Sequence, residues 1–173
     1  MVEREPEFKL RPLAADSVPA ALEKARRYRL LNEAREAESI CRDVLRVEPD
    51  NDEALVTLLL ALSDQFKRQL AKKFDEAMEL VPHLATEYER AYYSGVLCER
   101  RAKAHHLRPL PGAGAVTYDW LRQAMDWYDK AHDIRPPGDD DATLRWNSCV
   151  RMMRSHPDIQ AAPHEPAEIH LLE

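Results

Sequence analysis

The densest concentration of chemistry in the sequence is Arg100-Arg101-x-Lys103-x-His105-His106-x-Arg108. A positive run of this kind fits contact with RNA, a phosphate or an acidic partner. It also fits the solvated end of a helix, where cations complement the dipole. Arg26 and Arg29 form a second cationic pair. Their planar guanidinium groups suit a bidentate grip on a carboxylate. Other reactive types are scattered. Cys41, Cys98 and Cys149 fit no metal or disulfide framework, and each falls on a core position of its helix as a small apolar residue. His105-His106 lacks the helical i, i+4 spacing of paired ligands, and no carboxylate or thiol cluster completes a set. Gly112-Ala113-Gly114 follows no strand and lacks a third glycine, so it is not a dinucleotide loop. Asp139-Asp140-Asp141 reads as a helix cap. No nucleophile–base pair or paired carboxylates stand out. The reading is a non-enzyme with no catalytic residues, no cofactor and no metal.

The elements that must carry these residues are helical. Only four glycines occur in 173 residues, amid abundant Ala, Leu, Glu and Arg. A first helix is expected over 18–31, entered through Asp16 or Ser17 as cap with Pro19 in its first turn. Asn32 breaks it. A second runs over 33–47 with Ala34, Ala37, Ile40, Cys41, Val44 and Leu45 on one stripe. Asp50–Asp52 cap a third, whose apolar face is Leu55, Leu58, Leu59 and Leu62. Ser63-Asp64 turns into a fourth, with Leu70, Phe74, Ala77 and Met78 inward and Lys67, Arg68, Lys72 and Lys73 outward. A fifth covers 83–106, where Ala91, Gly95, Cys98 and Ala102 make a small stripe for close helix packing. The prolines and glycines of 105–116 predict a loop insertion. A sixth helix covers 115–134 with Trp120, Trp127 and Tyr128 as core residues, and a seventh ends near Ser155. Residues 1–16 read as an arm, 17–155 as one domain and 156–173 as a mobile tail.

A closing phrase recurs through these helices. It is Cys41-x-x-Val44-x-x-x-x-Pro49, then Phe74-x-x-Ala77-x-x-x-x-Pro82, then Tyr128-x-x-Ala131-x-x-x-x-Pro136. Ala37, Leu70 and Ala124 precede the large residue by four positions. With Ala25 and Tyr28 in the first unit, and Gly95 in the third, the pattern resembles the tetratricopeptide repeat, whose unit is about 34 residues. The resemblance covers about 18–155, and the insertion delays the third phrase. It implies an all-α fold, a right-handed superhelical stack of about seven antiparallel helices with an end helix.

That family typically binds peptides in a concave groove lined by the first helix of each pair. By position the groove would hold Leu22, Arg26 and Arg29, then Val56 and Leu60, then Tyr92 and Val96, then Asn147 and Arg151. Leu22 and Arg26 stand where the carboxylate-clamp subfamily has lysine and asparagine, so no clamp of that type is expected. The implied function is a scaffold or adaptor that binds a peptide or partner protein.

Two alternatives remain at this level. One is a self-associating scaffold, a homo-oligomer, using the apolar, acid-ended segment Ile169–Glu173. The other is an RNA or anion binder through Arg100, Arg101, Lys103 and Arg108. The net charge of −6 argues against a general nucleic-acid binder. Residues 1–17 mix both charges without an apolar segment, and the longest apolar run is too short for a bilayer. A cytoplasmic protein with reduced thiols and no membrane contact is therefore expected.

Overall fold

The computed structural model describes residues 8–163. Among these residues there is no strand. The helices are α1 Val18–Leu30, α2 Ala34–Val47, α3 Asp52–Ser63, α4 Phe66–Leu80, α5 Glu87–His106, α6 Ala113–Asp133 and α7 Asp141–Ser155. Short 3-10 turns precede α1 (Ala15–Ser17) and follow α4 (Val81–His83).

Local chemistry explains most boundaries. Asn32 takes a left-handed φ of 61° between α1 and α2, which asparagine tolerates better than bulkier residues. The Asn51 side chain caps α3 by accepting from the Ala54 amide at 2.9 Å. Thr86 and Glu89 form a reciprocal capping box at the start of α5. That box, with the turn Val81–His83, starts α5 later than the expected residue 83. Ser17 makes no side-chain cap bond.

The expected loop over 105–116 is shorter than that, because both of its ends are helical. α5 continues to His106 and α6 begins at Ala113. The extra residues thus lengthen the α5–α6 pair, and only 107–112 lie between the two helices. Gly112, at φ 77°, makes the turn that starts α6.

Each helix packs against its neighbours in sequence, and α1, α3, α5 and α7 also touch in series. The repeated phrases lie in the alternate helices α2, α4 and α6. Their key residues Ala37, Cys41, Val44, Leu70, Phe74, Ala77, Ala124, Tyr128 and Ala131 are all buried. α3 sits between α2 and α4, and its Ala54, Leu55, Leu58, Leu59, Ala61 and Leu62 are all buried. Its apolar character on several faces follows from that position.

Between α2 and α4 lies a polar strap. Lys73 holds Glu38 at 3.0 Å, and Arg42 reaches both Glu38 and Glu76 at 2.8 Å. Lys73 is therefore buried, not on the outward face as expected. Burial pushes the Glu38 carboxyl up, but hydrogen bonds from Gln65, Lys73 and Arg42 outweigh it and hold it below its ordinary range.

The chain does not leave the fold at Ser155. Ile159 is buried among side chains of α5, α6 and α7. A side chain at Gly114 would overlap the Asp158 carbonyl oxygen. His156 stacks edge-on against His106 of α5, with centroids 4.7 Å apart. At the other end, Leu13 packs on Val18 and Leu22, whereas Phe8 and Leu10 are exposed. The segment Ile169–Glu173 lies outside the described residues.

Candidate functional site

The structure divides the expected groove residues. Leu22 is buried with Val18, Val44 and Ala54, and Val96 is buried among α5, α6 and α7. Both are packing residues and neither lines a groove, because their helices are in contact there. Val56, Leu60, Tyr92 and Asn147 are half-buried, and Arg151 is exposed. Arg26 pairs with Glu53, and Arg29 Nε donates to Asp64 at 2.8 Å. The free anion contact expected of this pair is thus already taken by the chain's own carboxylates.

The basic cluster is likewise dispersed, since residues along one helix face different neighbours. Arg100 points to α3, pairing with Asp64 and donating to Ser63 Oγ at 2.7 Å. Arg101 is clamped between the Phe74 and Trp120 rings, 4.2 and 4.1 Å from their centroids. Burial lowers its pKa. Lys103 pairs with Glu99. Arg108 sits beyond the helix end, half-buried. These side chains do not form one continuous surface.

What the fold does bring together is a cleft where the helix turns meet. It has a volume of about 740 Å³. The α1–α2 turn, the α3–α4 turn and the C-terminal end of α5 enclose it. Asp64 lines it and receives Arg29 from α1 and Arg100 from α5. Arg35, Lys67, Arg68 and Lys103 add further cations, against Glu33 and Glu36. Among the described residues Arg35, Lys67 and Arg68 are exposed and have no ion-pair partner. Leu30 and Leu107 line the same cleft at 85% and 62% exposure. This end is locally cationic and apolar in a chain whose net charge is −6.

Arg29, Arg100 and Lys103 were singled out by sequence, but in two separate groups. Leu30, Arg35 and Leu107 were missed. The available signal was that Leu30 and Leu107 lie at helix ends beside charged residues, off the repeated apolar stripe.

One carboxylate is fully enclosed within a polar cluster. Glu99 has no exposure, and its carboxylate accepts from the Tyr128 hydroxyl at 2.6 Å, from Lys103, and from Arg145 of α7 at 3.5 Å. A buried carboxylate is tolerable with this many donors. It ties α5, α6 and α7 together and is inaccessible to a ligand.

The thiols of Cys41, Cys98 and Cys149 are buried. Burial pushes them up to about 11, about 11 and about 12. Thiolates are scarce under such conditions, so these groups are inert. Among the described residues no group of three His, Cys, Asp or Glu side chains could hold a metal, and no helix is long and apolar enough to cross a membrane. His106 lies 3.7 Å from Asp158, and His132 Nδ1 lies 3.0 Å from Thr143 Oγ1. No protein-family model, no curated protein and no solved structure matches the chain.

Proposed function

We propose that this chain is a tetratricopeptide-like stack of helical hairpins that serves as an interaction module, docking a segment of a partner protein. Two features support the stack. The closing phrases occupy buried positions in α2, α4 and α6, and the first helices of each pair contact in series. A right-handed superhelix follows from that reading. The docking surface is the turn-end cleft, in place of the deeper line through Leu22 and Val96, which packing has closed.

The observation that carries the reading is the cleft's combination of unpaired cations with exposed leucines. Arg35, Lys67 and Arg68 supply charge, and Leu30 and Leu107 supply apolar area. Apolar side chains left exposed at the rim of a cleft mark interaction surfaces. The complementary partner segment is acidic and carries large apolar side chains.

The test is quantitative capture from the native host by the wild-type chain and by an Arg35→Glu/Arg68→Glu variant. The reading expects partners retained by the wild type to be lost from the variant, with helicity unchanged. Partners retained equally by both would overturn it.

A further inference from the structure

We infer that the turn-end cleft receives a second copy of this chain, through the tip formed by the α6–α7 turn and the helix ends beside it. The inference rests on the reading of that cleft as a docking site and names its occupant.

Three observations converge. The first is complementarity. Arg35, Lys67 and Arg68 call for carboxylates, and the exposed Leu30 and Leu107 call for apolar side chains. The α6–α7 tip exposes Asp129, Asp133 and Asp141 beside Ile134 and Leu144, the last at 63% exposure. Among the described residues those three carboxylates have no ion-pair partner. The cations of the tip are engaged: Arg135 pairs with Asp140, and Lys130 lies over the Trp127 ring. The second is exclusion. Among the described residues, the α2–α3 and α4–α5 turns at the same end of the helices expose no large apolar side chain. Phe8 and Leu10 are exposed, but they flank Lys9 and precede Arg11, which carry the cleft's own sign. The third is placement. α6 runs antiparallel to α5, with Trp120 beside Arg101 and Tyr128 beside Gly95. The end of α6 therefore lies level with the start of α5, whereas the cleft lies at the end of α5. A helix of this length spans about 30 Å, so the tip cannot turn back into the cleft of its own molecule. The contact joins two molecules.

The two surfaces differ, so the contact is heterologous. Each added copy brings one free cleft or one free tip, and association continues into rings or open chains. The turn itself is preformed, because Pro136 and Pro137 fix their own φ, and little ordering entropy opposes docking. A foreign acidic segment competes with the tip for the same cleft.

Sedimentation of the full chain over a concentration series tests this. The cleft variant is Arg35→Glu/Arg68→Glu, and the tip variants are Asp129→Lys/Asp133→Lys and Leu144→Ser. All these positions are exposed, and lysines near the end of α6 suit its dipole, so circular dichroism should match the wild type. The wild type is expected to grow beyond a dimer with concentration and to shrink at high salt. Each variant is expected to associate at least about tenfold more weakly. An equal mixture of the cleft variant and the Asp129→Lys/Asp133→Lys variant should form a one-to-one dimer and nothing larger, since one intact cleft then meets one intact tip. A wild type that stays monomeric throughout, variants that associate as the wild type does, or a mixture that stays monomeric would each overturn the inference. Any of these alongside charge-sensitive partner capture would sink this inference alone. Capture insensitive to Arg35→Glu/Arg68→Glu would sink the underlying cleft reading.

Discussion

The Tyr128 ring fills the space that a side chain on Gly95 would need. A Cβ at Gly95 would lie 2.5 Å from Tyr128 Cε1. The glycine on α5 exists so that α6 can press a tyrosine against it, and the same tyrosine then reaches Glu99 with its hydroxyl. Close approach and the buried hydrogen bond are one arrangement.

Substituting Gly95→Ala is expected to destabilise the fold by about 1–3 kcal/mol through overpacking. Tyr128→Phe keeps the ring but deprives a buried carboxylate of a donor, costing about 1.5–3 kcal/mol. Chemical denaturation measures both. A stability change below experimental error in either variant would contradict the arrangement.

Asp64 joins two helices by pairing with two arginines. Its side chain is partly exposed, so Asp64→Ala should cost only about 1 kcal/mol in stability. The same change releases Arg29 and Arg100 into the cleft, and affinity for an acidic peptide should rise. A thermal melt and a peptide titration separate the two effects. Weaker peptide binding by Asp64→Ala would contradict the assignment of the cleft.

Much of the helical layout was legible because it is local. The cap at Asn51, the break at Asn32 and the buried phrase Tyr128-x-x-Ala131 follow from residue type and helical period. Long-range partners were not legible. Nothing local to Arg29 reveals that Asp64 lies beside it, or that Lys73 is drawn inward by Glu38. Leu22 and Val96 were assigned to a groove by position, but the spacing between neighbouring helices decided their burial. The loop expected over 105–116 is present but shorter, over 107–112, for a different reason. Gly114 sits inside α6 because Asp158 packs on it, so its presence signals close approach and not a turn.

His105 gives a pH signature. Burial pushes its pKa below 6.5, and Arg101 and Arg108 push it further. The unfolded chain therefore binds this proton more readily than the folded one. Its contribution to stability is complete above pH 6.5 and is lost as the pH falls through the lower folded value. His105→Phe should flatten that part of the difference in Tm against pH. An identical pH dependence in both proteins would contradict the burial of this ring.

Gly114→Val should expel the Asp158 carbonyl and with it the anchor at Ile159. Full burial of an isoleucine is worth about 1.5–3 kcal/mol, so a Tm decrease is expected. Limited proteolysis should also find a new cut between 156 and 160. Protection equal to wild type there would mean that the segment is held some other way.

The central claim is that the cationic, leucine-lined cleft receives partner protein. It is tested most directly by isotope-quantified capture with three chains: wild type, Arg35→Glu/Arg68→Glu in the cleft, and Arg122→Glu on exposed α6 as a charge control. The account predicts that the cleft variant loses partners by at least about tenfold, equivalent to about 1.4 kcal/mol, while the control retains them. Equal retention by all three chains, or equal loss from both variants, would contradict it.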